Sequence, residues 1–553
     1  MTTAHPPLRP SVLAGAASLA TDPWWRRTLL LVLGVTLARV LYLVFLCPYT
    51  LIEDEAHYWE WSRRLEWSYY TKGPGVAWSI AAATRLLGDH EFAVRLPAAL
   101  GAGLTTLLVA LLARDAYRSA RVGFLAACCV LLCPIFQVLG LVMTIDSPYA
   151  ACWAMAMWSA WRAFEGRGRR WFALAGLAMG VGLLYKYTIL LAIPGLALAA
   201  WRINRDRPGA VRASSLPFLI VPFVVGILPV IIWNAREGWP TVAHLLGHLG
   251  VKGGDMPVTQ GGGSGFHYDP TWTLQLVATQ LGMVGPILAL AAAQAIGWMR
   301  GRVAPGAAPG AERFLVLNSA PILIFYLLVS VVTEPEGNWP LAGYLTLLPM
   351  AAARVAAACD AMRANANGTP TGSGRRPHHA APMFAWRAAI VIGAATALML
   401  PRLDLLARLP VVGPLIPVHR FMGADRMAAD VAGRLDALRA RTGLEPFVVS
   451  SHYGRASQMA FYLPGRPTTY CTSDLLGPGR RTQYDYWADT DLRRQTSLSG
   501  RPAVALGADE ASWRKCFVQV TPASPLDGDG KRGRAVHECE GFTGFSTEPG
   551  VGR

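Results

Sequence analysis

The chain has 553 residues, 53% of them hydrophobic and 16% charged, and its mean hydropathy is positive. So few charges exclude an ordinary soluble protein of this size and place most of the chain in lipid. The formal net charge of +16 does not point to nucleic acid, because the basic residues sit in short clusters between apolar stretches, the pattern that orients membrane spans.

Residues 1–23 are polar and Pro-containing with no cleavable signal pattern, so a cytoplasmic tail is predicted over 1–27, ending at Arg26 and Arg27. Stretches able to cross a hydrocarbon core of about 30 Å follow near 28–47, 92–113, 122–141, 147–161, 215–233, 271–298, 314–332, 341–357 and 387–402. Residues 171–201 add two shorter ones divided at Lys186, whose charge is easier to hold in a turn than inside one long helix. About eleven spans over 28–402 are therefore predicted. The linkers at 114–121, 162–170, 202–212, 299–313 and 354–387 hold Arg and no Lys, and read as cytoplasmic. The alternate loops at 48–91, 142–146, around Lys186, 234–270 and 333–340 then fall outside, as does the C-terminus. Asp54, Lys72, Asp146 and Lys186 share that outer side.

The first outer loop is the most informative. In LIEDEAHYWEW, Asp54 and Glu55 stand at a membrane boundary, where carboxylates are costly unless solvated, paired or used in chemistry. His57, Tyr58, Glu60, Tyr69, Tyr70 and Lys72 follow. A carboxylate can take a proton from a hydroxyl as general base, and an ammonium can stabilise phosphate oxygens as charge builds on a leaving group; Asp54 and Lys72 supply those parts. The stretch HYWEWSRRLEWSYYT predicts an amphipathic helix lying in the interface. Its tyrosines, with Tyr58 and Tyr70 foremost, either line a head-group site or anchor the loop at the interface. Asp146 reads as a site acid or as part of a helix start before Ser147 and Pro148, and Lys186 as a site cation or a snorkelling lysine. Arg39, inside the first span, calls for a partner in the bundle or a phosphate.

Further along, His244 and His248 have helical metal-ligand spacing but no adjacent acid, and read as surface histidines. The GGGSG run at 261–265 reads as a mobile loop and not a phosphate cradle. The 363–382 stretch, with His378 and His379, reads as a flexible cytoplasmic linker. From residue 403 to 553 the composition becomes that of a small extracytoplasmic α/β domain, with strands in PFVVSSHYG, TTYC and RPAVALG and a helix in ASQMAFYL. Of its cysteines, Cys471, Cys516 and Cys539, an oxidising compartment would permit one disulfide, and Cys516 with Cys539 is the pair expected.

IEDEAHYWEWSRRL, SYYTKGPGVAW, GDHEFAVRLPAAL, the MTIDSP turn, LLYKYTILLAIPG and EGNWPLAGY, in that order, resemble the bacterial relatives of protein O-mannosyltransferases and of the lipid A aminoarabinose transferases. SQMAFYLPGRPTTYC and GRRTQYDYW resemble the tails of that group. The resemblance is strongest over 50–190 and looser to about 345. It implies a GT-C fold, mainly α and polytopic, and a glycosyltransferase that takes sugar from a polyprenyl phosphate at the periplasmic face of a bacterial inner membrane. It also implies Asp54 as the catalytic acid with Glu55 completing the pair, and Lys72 as a phosphate contact, with Asp146 and Lys186 at matching polar positions. His57, Tyr58 and Tyr70 are added as candidate substrate contacts. Two departures stand out: Thr71 replaces a glutamate before the lysine, and His57 replaces an arginine, so roles tied to those residues do not transfer. Lys186 or a divalent cation is expected to assist Lys72. The acceptor is a glycolipid, a polysaccharide or a protein. The competing class is a lipid-linked sugar flippase, for which internal repeats and midplane charges would be expected; no repeat is evident.

Overall fold

A computed structural model of the chain describes residues 22–248, 254–255, 268–367, 379–411, 413–477, 479–528 and 533–545. The N-terminal tail before Asp22, the GGGSG run and His378 lie outside the described residues. Every predicted span is helical. Among the described residues, seven stretches are long and apolar enough to cross a membrane: Pro23–Phe45, Glu91–Tyr117, Tyr187–Asp206, Ala213–Glu237, Ala311–Val329, Leu341–Ala366 and Ala380–Leu406. The predicted spans at 122–141, 147–161 and 171–185 are the helices Ala120–Leu132 with Pro134–Val138, Asp146–Phe164 and Arg169–Tyr185.

Their packing explains the differences in apolarity. Pro23–Phe45, Ala213–Glu237 and Ala380–Leu406 turn most of their apolar residues outward, as helices that meet lipid do, whereas Leu341–Ala366 is almost wholly buried. Asp146–Phe164 is likewise packed on nearly all sides and tolerates polar residues because protein surrounds it. Arg169–Tyr185 and Leu216–Glu237 approach so closely that a Cβ on Gly180 would stand 3.0 Å from the Gly226 Cα, the close backbone contact small residues permit in membranes.

The predicted span at 271–298 is not one helix. Pro270–Val284 and Pro286–Met299 meet at 103°. Gly285 takes φ +66°, open to glycine without strain, and Pro286 starts the second helix at a position that needs no backbone donor.

The C-terminal part carries one five-stranded sheet, β1 (Phe447–Ser450), β2 (Tyr470–Cys471), β3 (Ala503–Gly507), β4 (Phe517–Ala523) and β5 (Ala535–Phe542), in the order β2-β1-β3-β5-β4. β1 runs parallel to β2 and β3, and β5 is antiparallel to β3 and β4. The three strands and the helix expected from sequence are present; β4, β5 and the Ala424–Thr442 helix complete the domain. The expected Cys516–Cys539 disulfide is not formed. Cys471, Cys516 and Cys539 are buried free thiols, and Cys516 Sγ donates instead to the Trp513 carbonyl at 3.5 Å.

The outer-loop helix Glu53–Arg63 does not lie half-exposed in the interface, as its pattern suggests. It is held between bundle and sheet domain, with Trp59 and Trp61 each only 1% exposed. Tyr453–Tyr462 packs along it so tightly that a Cβ on Gly454 would lie 2.4 Å from the Glu53 Cβ. Across this contact Gln458 Nε2 donates to the Leu51 carbonyl (2.9 Å) and the Leu51 amide donates to the Tyr462 hydroxyl (2.7 Å). Glu66, just past the helix, accepts from Trp233 Nε1 (2.6 Å) of the bundle and Trp487 Nε1 (2.9 Å) of the domain, tying the three parts together.

Candidate active site

The Glu53–Arg63 helix opens with Glu53, Asp54 and Glu55, favourable charges for a helix N-terminus. Successive helical residues point about 100° apart, so the three carboxylates go to different places. Glu55 turns into the bundle and is fully buried. It takes a bidentate pair from Arg95 (Nε 2.9 Å, Nη2 2.6 Å) and accepts from the amides of Met143 (2.8 Å) and Ile52 (3.1 Å). Arg95 also donates to the carbonyls of Tyr49 and Thr50, both at 2.8 Å. That geometry makes Glu55 a brace holding the outer loop on the bundle. It is not brought together with the other predicted site residues.

Asp54 faces a recess at the seam between loop and sheet domain. Its carboxylate remains accessible, yet it is walled by protein atoms, and the burial raises its pKa above the ordinary carboxylate value. The Tyr453 hydroxyl donates to its Oδ1 at 3.1 Å and, with Lys72 and His452, opposes that rise, while Glu53 adds to it.

Lys72 follows a turn in which the Tyr69 amide and the Ser68 hydroxyl donate to its own carbonyl (3.0 and 3.3 Å). Gly73 then passes against the Leu184 carbonyl, where any Cβ would come within 2.4 Å. This close passage carries Lys72 to the Lys186 end of the bundle. The Lys72 ammonium has no hydrogen-bond or ion-pair partner among the described residues. Burial, together with Lys186 and Arg480, lowers its pKa to about 8 against the pull of Asp146 and Asp54.

Asp146 and Lys186, read from sequence as separate polar elements, form one buried unit. Lys186 Nζ donates to Asp146 Oδ1 at 2.6 Å, and Asn338 Nδ2 donates to Oδ2 at 2.7 Å. Burial, then Asp54, Tyr453 and Asp146, push the Tyr58 phenol far up, so it stays neutral.

Tyr70 lines an adjoining cleft of about 300 Å³ with Asp255, Asp474, Arg480, Arg481 and Tyr486. Its ring stacks on Tyr486 (centroids 5.4 Å apart), and its buried hydroxyl has no partner among the described residues. His57 is not in the open cleft. Its Nε2 accepts from Trp61 Nε1 (3.1 Å), which places the proton on Nδ1, 3.0 Å from Ser457 Oγ. Burial, with His452 and Arg480, lowers its pKa to about 3, so it is a neutral brace between loop and domain. His244, expected at the surface, is buried and meets Asp255 at 3.3 Å. His379 is half-buried and contacts Asn365.

Sequence reasoning missed Tyr453, Asn338, Arg480 and Arg481. The last three sit inside the EGNWPLAGY and GRRTQYDYW motifs, which gave the signal; Tyr453 gave none. Both oxygens of Asp146 already hold donors, and no group of three His, Cys, Asp or Glu suited to a metal occurs among the described residues.

Comparisons with known proteins agree with this architecture. Residues 71–233 match the family described as dolichyl-phosphate-mannose-protein mannosyltransferase. The chain is 29% identical over 323 residues to the lipid A galacturonosyltransferase RgtD of Rhizobium johnstonii, covering 58% of this chain and 63% of that one. It is 26% identical over 261 residues to an undecaprenyl phosphate-alpha-4-amino-4-deoxy-L-arabinose arabinosyl transferase of Pseudomonas fluorescens, covering 43% and 44% of the two chains. The matched region thus spans less than two thirds of either relative. Among solved structures, ArnT from Cupriavidus metallidurans bound to undecaprenyl phosphate superposes with a TM-score of 0.58 at 17% identity, over 92% of this chain and 97% of that one. The chain is a multi-pass membrane protein with the GT-C fold of ArnT.

Proposed function

We propose that this protein is a membrane glycosyltransferase that moves a sugar from a polyprenyl phosphate to an acceptor at the outer face of a bacterial inner membrane. The observation that carries the reading is the closeness, near enough for each to shift the other's pKa, of an accessible carboxylate, Asp54, to the Lys72 ammonium, which has no partner among the described residues. Both named relatives are sugar transferases, the second named for an undecaprenyl phosphate donor. In the reaction, the acceptor hydroxyl attacks the anomeric carbon and its proton passes to Asp54. The bond from that carbon to the phosphate oxygen breaks, and the charge left on the departing polyprenyl phosphate meets Lys72. A single displacement inverts the anomeric centre. Lys186 is neutralised by Asp146 and fixes the shape of the recess. Arg480 and Arg481 line the cleft beside Tyr70, where sugar and phosphate enter.

The charges required give a pH profile with a defined sign. Asp54 must be ionised, and its raised pKa places the acid limb above the ordinary aspartate range. Lys72 must be protonated, so the rate declines as pH rises through about 8. Purified protein in liposomes, given radiolabelled polyprenyl-phosphate sugars, is expected to show this bell. In Lys72→Arg the alkaline limb should move beyond the measured range, because a guanidinium stays charged. An alkaline limb left in place by that change would remove Lys72 from the chemistry. Chelation of divalent cations is expected to leave the rate unchanged; loss of turnover with EDTA, restored by a metal, would show that a cation takes part.

A further inference from the structure

The sheet domain contains a second cavity, of about 240 Å³, that the transfer chemistry does not use. It lies at the carboxyl ends of β1 and β3, lined there by Ser450, Ser451, Leu506 and Gly507. The chain leaves β1 through the Tyr453–Tyr462 helix to β2 on one side, while β3 pairs on the other. This is the point in an open α/β sheet where the connections diverge and a crevice for a ligand opens. Gly507 has φ +105°, and a Cβ there would lie 2.3 Å from Ser451 Oγ, so the close approach of the two strand ends depends on it.

The remaining wall joins apolar Leu526, Ala535 and Val536 to three basic residues. His452, Arg455 and Arg534 line it, and no carboxylate appears among its described lining residues. Arg534 meets Glu53 at 3.0 Å and Arg455 meets it at 3.3 Å. The ten-residue helix beginning at Tyr453 presents its positive end to the same crevice. Two guanidinium forks, two hydroxyls and a helix start approach from β1, β5 and the helix between them, an arrangement suited to a tetrahedral oxyanion. Glu53 and His452, at its edge, immediately precede Asp54 and Tyr453, the pair at the reaction centre.

We propose that this cavity is a docking seat for a phosphate monoester carried by the acceptor, holding it so that a neighbouring hydroxyl reaches Asp54. The inference rests on the glycosyl-transfer reading, so two measurements are needed. In the first, the full-length protein in liposomes is given a glycolipid acceptor bearing phosphate monoesters or the same glycolipid after phosphatase treatment. The phosphorylated acceptor is expected to show a KM about tenfold lower, and Arg534→Gln to erase that difference by raising this KM alone with kcat unchanged. In the second, inorganic phosphate is titrated against the unfolding temperature of Lys72→Gln protein, in which the donor-phosphate contact is gone. Phosphate should raise that temperature, and adding Arg534→Gln should abolish the rise. An Arg534→Gln effect equal on both acceptors, or a phosphate response indifferent to it, overturns the seat. Absence of transfer from every donor would sink the transferase reading instead, and the phosphate titration would then decide the seat by itself.

Discussion

Asp54→Asn is expected to lower kcat about a thousandfold, at the centre of the range for removing a positioned general base, while the protein folds as before. The substitution is nearly isosteric and keeps an oxygen to accept the Tyr453 hydroxyl. It removes only the capacity to receive a proton. Because Asp54 lies open in its recess, it leaves no buried charge unpaired. Sugar transfer and unfolding temperature measured on the same preparation separate the two effects. Unchanged turnover would make Asp54 structural and defeat the proposed mechanism.

The second large effect falls on stability. Arg95→Met strands the fully buried Glu55 carboxylate and takes donors from the Tyr49 and Thr50 carbonyls. Removing one partner of a buried pair costs about 3–5 kcal/mol, a large share of what holds an ordinary domain folded. Glu55→Gln should also destabilise strongly, by leaving the guanidinium unpaired. Thermal unfolding in detergent should drop for both variants, while turnover per folded molecule of Glu55→Gln stays close to the parent. If Glu55→Gln kept its unfolding temperature and lost kcat, Glu55 would belong to the chemistry after all.

The different fates of Asp54 and Glu55 show where sequence reading reaches its limit. Neighbouring acids suggest a catalytic dyad, but on a helix adjacent side chains diverge, and which one meets Arg95 depends on a contact 40 positions away. The apolar spans were legible because a bilayer demands a minimum length of greasy chain. The break at Gly285 was not, because glycine and proline inside a continuous apolar stretch barely alter its hydropathy. Lys72 and Lys186 were legible as charges where charge is costly. That one is neutralised by Asp146 and the other left open follows only from packing, through the passage of Gly73 against Leu184. The amphipathic pattern of the outer loop was real, but its polar face meets a second domain instead of water. No local signal marks Tyr453, which acquires its place only when its helix docks.

That docking has a consequence for biogenesis. The hydrogen bond from Tyr453 to Asp54 joins positions 399 residues apart. The nascent chain must therefore insert its whole helical bundle, and then fold the sheet domain, before the Asp54–Tyr453 pair exists. A half-made polypeptide carries the acid without the wall that tunes it. The order of synthesis thus acts as a safety interlock: Asp54 emerges early but gains its Tyr453 partner only once the sheet domain has folded against the loop.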